Sequence, residues 1–144
     1  MNESAAGTES GRRVYSDLVD FRKRSGKEVQ VVASHAHFLM SDVYKTSCHK
    51  PEDVLPGWIV GTAGAVRYRL PREHSAAAVA ETDVYGYLLG TVTPEGHVSF
   101  TFRPILPSNI SAATRERYGA DAVRKCFDEN KSDYTAEGPK CGDR

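Results

Sequence analysis

Lys27-Glu28-Val29-Gln30-Val31-Val32-Ala33-Ser34-His35-Ala36-His37 is the stretch on which the reading of this chain turns. An apolar, β-branched run over residues 29–33 ends in two histidines two positions apart. Such a run favours extended backbone, and it is too apolar for a half-exposed strand, so a strand covered on both faces is expected. Side chains at i and i+2 of a strand leave the same face of the sheet, which would aim both imidazoles at one point. Imidazole is the commonest metal-ligating side chain and titrates near neutral pH. Metal sites need three or more protein ligands, so this pair cannot hold a catalytic ion by itself. The plain alternative is a hydrogen-bonded pair of histidines closing the strand.

Working upstream, Val14, Leu18 and Phe21 fall at spacings of four and three and predict the apolar face of a helix starting near Val14. Arg22, Lys23 and Arg24 suit the negative end of its dipole, and Gly26 ends it. Helix, short turn and buried strand make the αβ half of a layered α/β structure. Residues 1–13 are small and polar, too weakly apolar to order themselves, and are expected to form a disordered tail.

Working downstream, residues 38–56 are polar, hold Pro51 and Pro56 and show no sustained period, which predicts a loop. Trp58-Ile59-Val60 is a short strand running into Gly61-Thr62-Ala63-Gly64-Ala65. Val66, Tyr68 and Leu70 then alternate with Arg67 and Arg69, as in a strand with one wet face. Residues 71–81 read as a polar excursion. Residues 83–93 and 97–103 flank Pro94-Glu95-Gly96 as a hairpin, with Val98, Phe100 and Phe102 on one face. Two helical pieces are expected over 109–118 and 120–130, broken at Gly119. The second places Val123, Cys126 and Phe127 on the face that docks on a sheet. Residues 131–144 read as a frayed polar end.

Composition narrows the function classes. The 144 residues make one domain, and nineteen basic residues balance nineteen acidic ones. Zero formal charge provides no global field for nucleic acid or an anionic membrane, so neither is expected as a partner. No stretch approaches the ~20 apolar residues of a membrane span, and the first residues lack the apolar core of a secretory signal. A cytoplasmic location is expected for the chain as written. Cys48, Cys126 and Cys141 form neither a disulfide framework nor a zinc-ribbon pattern.

Other chemistry-bearing residues are weaker. Gly61-Thr62-Ala63-Gly64 follows a strand and could bring backbone N–H groups to an anion. It lacks the Lys-Ser/Thr ending of a P-loop and leads into another strand, so a tight turn is the simpler reading. Arg67, Arg69 and Arg72 read as a solvated strand face rather than a phosphate clamp. His49, His74 and His97 sit in or beside polar loops and read as exposed.

Three segments together resemble a known family. Val31-Val32-Ala33-Ser34-His35-Ala36-His37-Phe38, then Leu55-Pro56-Gly57-Trp58-Ile59-Val60-Gly61-Thr62-Ala63-Gly64-Ala65-Val66-Arg67-Tyr68, then Val84-Tyr85-Gly86-Tyr87-Leu88 are similar to the C-terminal part of bacterial calcineurin-like metallophosphoesterases. There a closing Gly-His-x-His follows a buried strand, and a Gly-Thr-x-Gly turn and a hairpin follow that. Ser34 stands here in place of the usual glycine. The resemblance covers residues 14–130 and implies part of a four-layer α/β/β/α sandwich, its C-terminal half, with mixed strands and two flanking helical regions.

By that resemblance His35 and His37 each ligate one ion of a dinuclear centre, with Mn, Fe or Zn suited to imidazole nitrogen. Thr62 and Gly64 lie near the phosphate. Two divalent ions about 4 Å apart clamp the phosphate and acidify a bridging water. The family's other ligands come from Asp-x-His, Gly-Asp and Asn-His motifs. The chain has no Asp-x-His and no Asn-His, and its one Gly-Asp is Gly142-Asp143. A C-terminal fragment of a phosphate ester hydrolase is therefore expected, inactive alone, binding metal weakly if at all. It would meet a phosphate-ester substrate only with its site completed, and would self-associate through an exposed sheet face. The alternative is a non-catalytic remnant that binds metal weakly or docks on a protein partner.

Overall fold

A computed structural model of the protein describes residues 9–47, 49–72, 74 and 77–135. Among them are three α-helices and eight short strands. The first helix, α1, spans Glu9–Ser25, so residues 9–13 are helical rather than part of a tail. Its docked face also differs from the expected one. Val14 and Phe21 remain 58% and 47% exposed, while Val19 is buried and Tyr15, Leu18 and Arg22 are half-buried. Positions 15, 18, 19 and 22 form an equally regular helical face.

Polar capture selects that face. The Tyr15 hydroxyl donates to the Asp53 carbonyl (2.9 Å) and accepts from the Leu55 N–H (3.0 Å). Arg22 donates to the Val54 carbonyl (2.7 Å) and to that of Glu52, and Lys23 pairs with Asp53 at 2.6 Å. The receiving carbonyls belong to a single 3-10 turn, Pro51–Asp53, and its exit. Apolar periodicity cannot register such bonds.

The largest sheet is mixed and has the order β1-β3-β2-β5, from β1 (Val31–Ala33), β2 (Leu39–Ser41), β3 (Gly57–Val60) and β5 (Ala80–Glu81). β1 runs parallel to β3, and β2 runs antiparallel to both β3 and β5. β1 is thus an edge strand, and Val32 is 53% exposed, so the expected cover on both faces is missing. The centre of the core is β2, inside the segment expected to be a loop. Ala36, Phe38 and Met40 cluster there with Val43, Ile59, Tyr68, Leu70, Ala77 and Ala80, and Leu39 and Leu55 are fully buried. A strand of three residues is too short to display a period, and it is held by pairing on both edges.

Two further sheets have two strands each. β4 (Arg67–Arg69) pairs in parallel with β8 (Lys131–Thr135), so residues 131–135 are ordered by a ladder instead of fraying. β6 (Gly86–Val92) and β7 (Val98–Pro104) form the expected hairpin, in unbroken register from Gly86↔Pro104 to Val92↔Val98. Val98, Phe100 and Phe102 are half-buried while Ser99, Thr101 and Arg103 are exposed, and the Phe100 ring meets Trp58 with centroids 6.1 Å apart.

α2 (Ala112–Tyr118) and α3 (Ala120–Asp128) are divided at Gly119, which takes φ +83°, as the sequence predicts. Ser111 caps α2 by accepting from the Thr114 N–H (3.1 Å), and Pro107–Asn109 before it is a 3-10 turn, so the first piece is shorter than expected. α3 docks through Val123 and Phe127, both half-buried, whereas Cys126 is exposed and does not pack.

Candidate functional site

The histidine pair does not sit on a strand. β1 ends at Ala33, and His35 takes φ +85°, in the left-handed region that costs a non-glycine residue free energy. The rings nevertheless lie near each other, with centroids 6.3 Å apart at 74°. Their proximity therefore comes from a bend rather than from strand alternation.

His37 is held on three sides. Its ring stacks on Tyr68 (4.2 Å, 24°) and its Nδ1–H donates to the Val66 carbonyl at 2.7 Å. The His37 carbonyl accepts from the Tyr68 N–H (3.1 Å), and the Phe38 carbonyl accepts from the Gly61 N–H (3.1 Å). The histidine loop and the segment from Gly61 to Tyr68 are thus zipped together. Gly61 is required for that approach, because a Cβ there would lie 1.8 Å from the Ala36 carbonyl oxygen and 2.9 Å from the His37 Cα. The two motifs singled out in the sequence meet at one place.

The geometry suits a nitrogen donor in one respect. With Nδ1 committed to a carbonyl, Nε2 carries the ring's lone pair, the arrangement by which metal-ligating histidines are usually oriented. The described residues contain no group of three or more His, Cys, Asp or Glu placed to hold an ion. Thr62 is buried and its hydroxyl donates to the Gly86 carbonyl (2.8 Å), while its own carbonyl accepts from the Gly86 N–H (3.1 Å). Its side chain therefore ties the glycine turn to β6. Gly64, at φ +112°, is exposed with open space where a Cβ would stand.

Behind the turn lies a feature that pattern reading inverts. Arg67, expected on a wet face, is 3% exposed, while Val66 beside it is 39% exposed. The guanidinium donates to the carbonyls of Asp83 (2.9 Å), Asn130 (3.2 Å) and Phe127 (2.5 Å) and lies 4.6 Å above the Tyr85 ring. A cation at the C-terminal end of α3 meets carbonyls that have no intrahelical partner and the negative end of the helix dipole. Tyr85 completes the cluster: its hydroxyl donates to the Cys126 carbonyl (3.1 Å) and accepts from the Asn130 side-chain amide (2.7 Å). Burial pushes the Tyr85 phenol above its ordinary value, against the Asn130 hydrogen bond and the nearby Arg67 charge. No sequence signal marks this hub, since the carbonyls come from residues far away in the chain. Arg69 is paired with Asp83 (3.6 Å) and Asp133 (3.8 Å), and Arg72 is exposed, so the three arginines do not form one stripe.

The remaining histidines divide. His97 is exposed and bonded to Glu28 (3.0 Å), whose carboxyl is held below its ordinary value chiefly by that bond. His74 is exposed, with Nδ1 donating to the Pro71 carbonyl (2.6 Å). His49 is not exposed as expected. It stacks on Tyr15 (4.3 Å, 30°) and its Nε2 is buried with no hydrogen-bond partner among the described residues. Burial lowers its pKa below 6.5, opposed by Asp53. Cys48 and Cys141 lie outside the described residues.

No protein-family profile matches the chain, and no curated protein or solved structure matches it. No described helix is long and apolar enough to cross a membrane.

Proposed function

We propose that His35 and His37 are metal ligands of a phosphate-ester hydrolase centre, and that the chain supplies the C-terminal part of a calcineurin-like sandwich. The observation that carries this reading is the clasp between the histidine loop and the glycine turn, in which the Val66 carbonyl sets the His37 tautomer. Two imidazoles on a single tetrahedral ion, with metal–nitrogen bonds of ~2.1 Å, have ring centres about 5 Å apart. The 6.3 Å separation here is wider and suits one ring for each ion of a closely spaced pair. When bound, such ions would polarise a phosphoryl group and generate hydroxide from water. The chain's own residues would orient imidazole: Val66 and Tyr68 fix His37, and Gly61 permits the loops to touch. Since the described residues offer no third ligand, the remaining donors must come from elsewhere.

The test is a titration with Co²⁺ or Mn²⁺, followed by NMR at named residues. Paramagnetic broadening should centre on His35, His37, Val66 and Tyr68 and vanish in a His35→Ala/His37→Ala chain that keeps its fold. Absence of that local broadening would end the ligand assignment. The purified chain should hydrolyse an aryl phosphate no faster than the double variant, and mutation-sensitive turnover would overturn the incompleteness of the site. The alternative of a non-catalytic metal-binding remnant shares the titration result. It parts from the leading reading if adding a protein segment bearing the missing Asp-x-His and Asn-His motifs restores no hydrolysis.

A further inference from the structure

The β6–β7 hairpin has two edges, and they are treated differently. Tyr85 and Ile105 are joined at one end (Ile105 N–H to Tyr85 carbonyl, 2.8 Å), and Thr93 and His97 at the other (Thr93 N–H to His97 carbonyl, 3.0 Å). The register between them is unbroken. In an antiparallel ladder the paired residues alternate, so Tyr87, Leu89 and Thr91 turn their backbone groups toward β7. Gly86, Leu88, Gly90 and Val92 turn theirs outward.

The outward groups of Gly86 are taken by Thr62, through the 3.1 Å backbone bond and the 2.8 Å hydroxyl bond. On the opposite edge, β7 is guarded. Glu28 accepts from the Val98 N–H (2.9 Å), Arg103 puts a charge on the strand, and Pro104 has no N–H to offer. The outward groups of Leu88, Gly90 and Val92 have no partner among the described residues. β6, Gly-Tyr-Leu-Leu-Gly-Thr-Val, contains no charge and no proline, the devices by which edge strands are normally protected. Tyr87, Leu89 and Val92 add apolar surface at 55%, 45% and 66% exposure.

We propose that this edge is an interface between two copies of the chain, each adding its β6 antiparallel to the other about a two-fold axis at Gly90. The hydrogen-bonding pattern selects that axis. Centred there, Leu88 faces the partner's Val92 and Gly90 faces the partner's Gly90, so every free outward group is used. The ladder also ends correctly: Gly86, already occupied by Thr62, comes opposite the partner's Pro94, which has no N–H. No like charges meet along the strand, because β6 carries none. The product is one four-stranded sheet, β7-β6-β6-β7, of an isologous kind that closes on itself. The assignment does not depend on the phosphoesterase reading.

Sedimentation over a concentration series should show a mass rising from 15.8 kDa to twice that value. Hydrogen exchange then locates the contact. The amides of Leu88, Gly90 and Val92 should slow by roughly tenfold or more between dilute and concentrated protein, while those of Tyr87, Leu89 and Thr91 stay protected throughout by β7. Gly90→Pro removes an outward N–H at the axis, and Thr91→Lys places like charges near each other across it. Thr91→Lys lies on the exposed face and keeps the hairpin's own bonds, so it guards against misfolding of the proline variant. Both should remain at 15.8 kDa. A monomer at all concentrations would overturn the proposal, as would a dimer whose Leu88, Gly90 and Val92 amides exchange alike at both concentrations.

Discussion

The four-stranded sheet and the β6–β7 hairpin make a useful contrast. The hairpin has the longer strands, seven residues each, with continuous register and a tight turn, yet none of its residues beyond Gly86 is fully buried. The sheet is built from strands of two to four residues, and it carries β2, where Leu39, Met40 and Ser41 are all buried. Regular local geometry and burial are therefore separate properties in this molecule. The hairpin is a well-formed element resting on the core through Phe100 and Trp58. The core is a convergence of short pieces, none of which would hold its shape alone.

That contrast breaks or holds under substitution. Leu39→Ala, at a site with 0% exposure, should cost about 2–5 kcal/mol in urea unfolding, whereas Leu89→Ala on the hairpin should stay within about 0.5 kcal/mol. Comparable losses at the two positions would mean that the hairpin is as central as the sheet. Arg67→Met comes next, at about 2 kcal/mol, because the carbonyls of Asp83, Phe127 and Asn130 lose their donor. Its signature is regional: the amides of α3 and β8 should exchange faster before those of β2 and β3 do. Uniform loss of protection would contradict a hub that serves only that corner.

Tyr15→Phe should cost about 1 kcal/mol, since one hydroxyl serves both the Asp53 carbonyl and the Leu55 N–H. The loss should be read as fraying of α1 in helical circular dichroism ahead of the global transition. The smallest effect is a pH dependence at the same seam. His49 has its pKa lowered by burial against Tyr15 and Tyr44. Well above pH 6.5 folded and unfolded chains both hold the ring neutral and this contribution is complete. As pH falls below that value the unfolded chain takes up a proton first, so stability declines toward the lower folded pKa. Melting temperature should therefore fall less on acidification in His49→Phe, which keeps an aromatic ring in the stack, than in the parent chain. An equal fall would remove His49 from the account.

How much of this was legible depends on which forces act locally. The hairpin was readable because Pro94-Glu95-Gly96 and the Val98, Phe100, Phe102 alternation are local signals, and the break at Gly119 is one as well. β2 was not, because its burial comes from strands on both sides rather than from a period of its own. The wrong face of α1 has the same origin. Val14, Leu18 and Phe21 satisfy helical spacing, but Tyr15 and Arg22 win through bonds to carbonyls some 30 residues or more away. In the candidate site, the His35/His37 pair and the glycine turn were visible as separate motifs, while the clasp between them was not.

The sequence by itself determined the mixed α/β character, the hairpin, the paired helices at the C-terminal side and the identity of the histidines, since these rest on residue type and near-neighbour spacing. Tertiary structure alone decided that Arg67 is buried and Val66 exposed, that residues 39–41 lie at the centre, and that His37 is fixed against Val66 and Tyr68. Each of those outcomes turns on a backbone carbonyl, or a neighbouring strand, supplied from a distant part of the chain. Every residue carries the same carbonyl, so its availability leaves no mark in the order of the side chains.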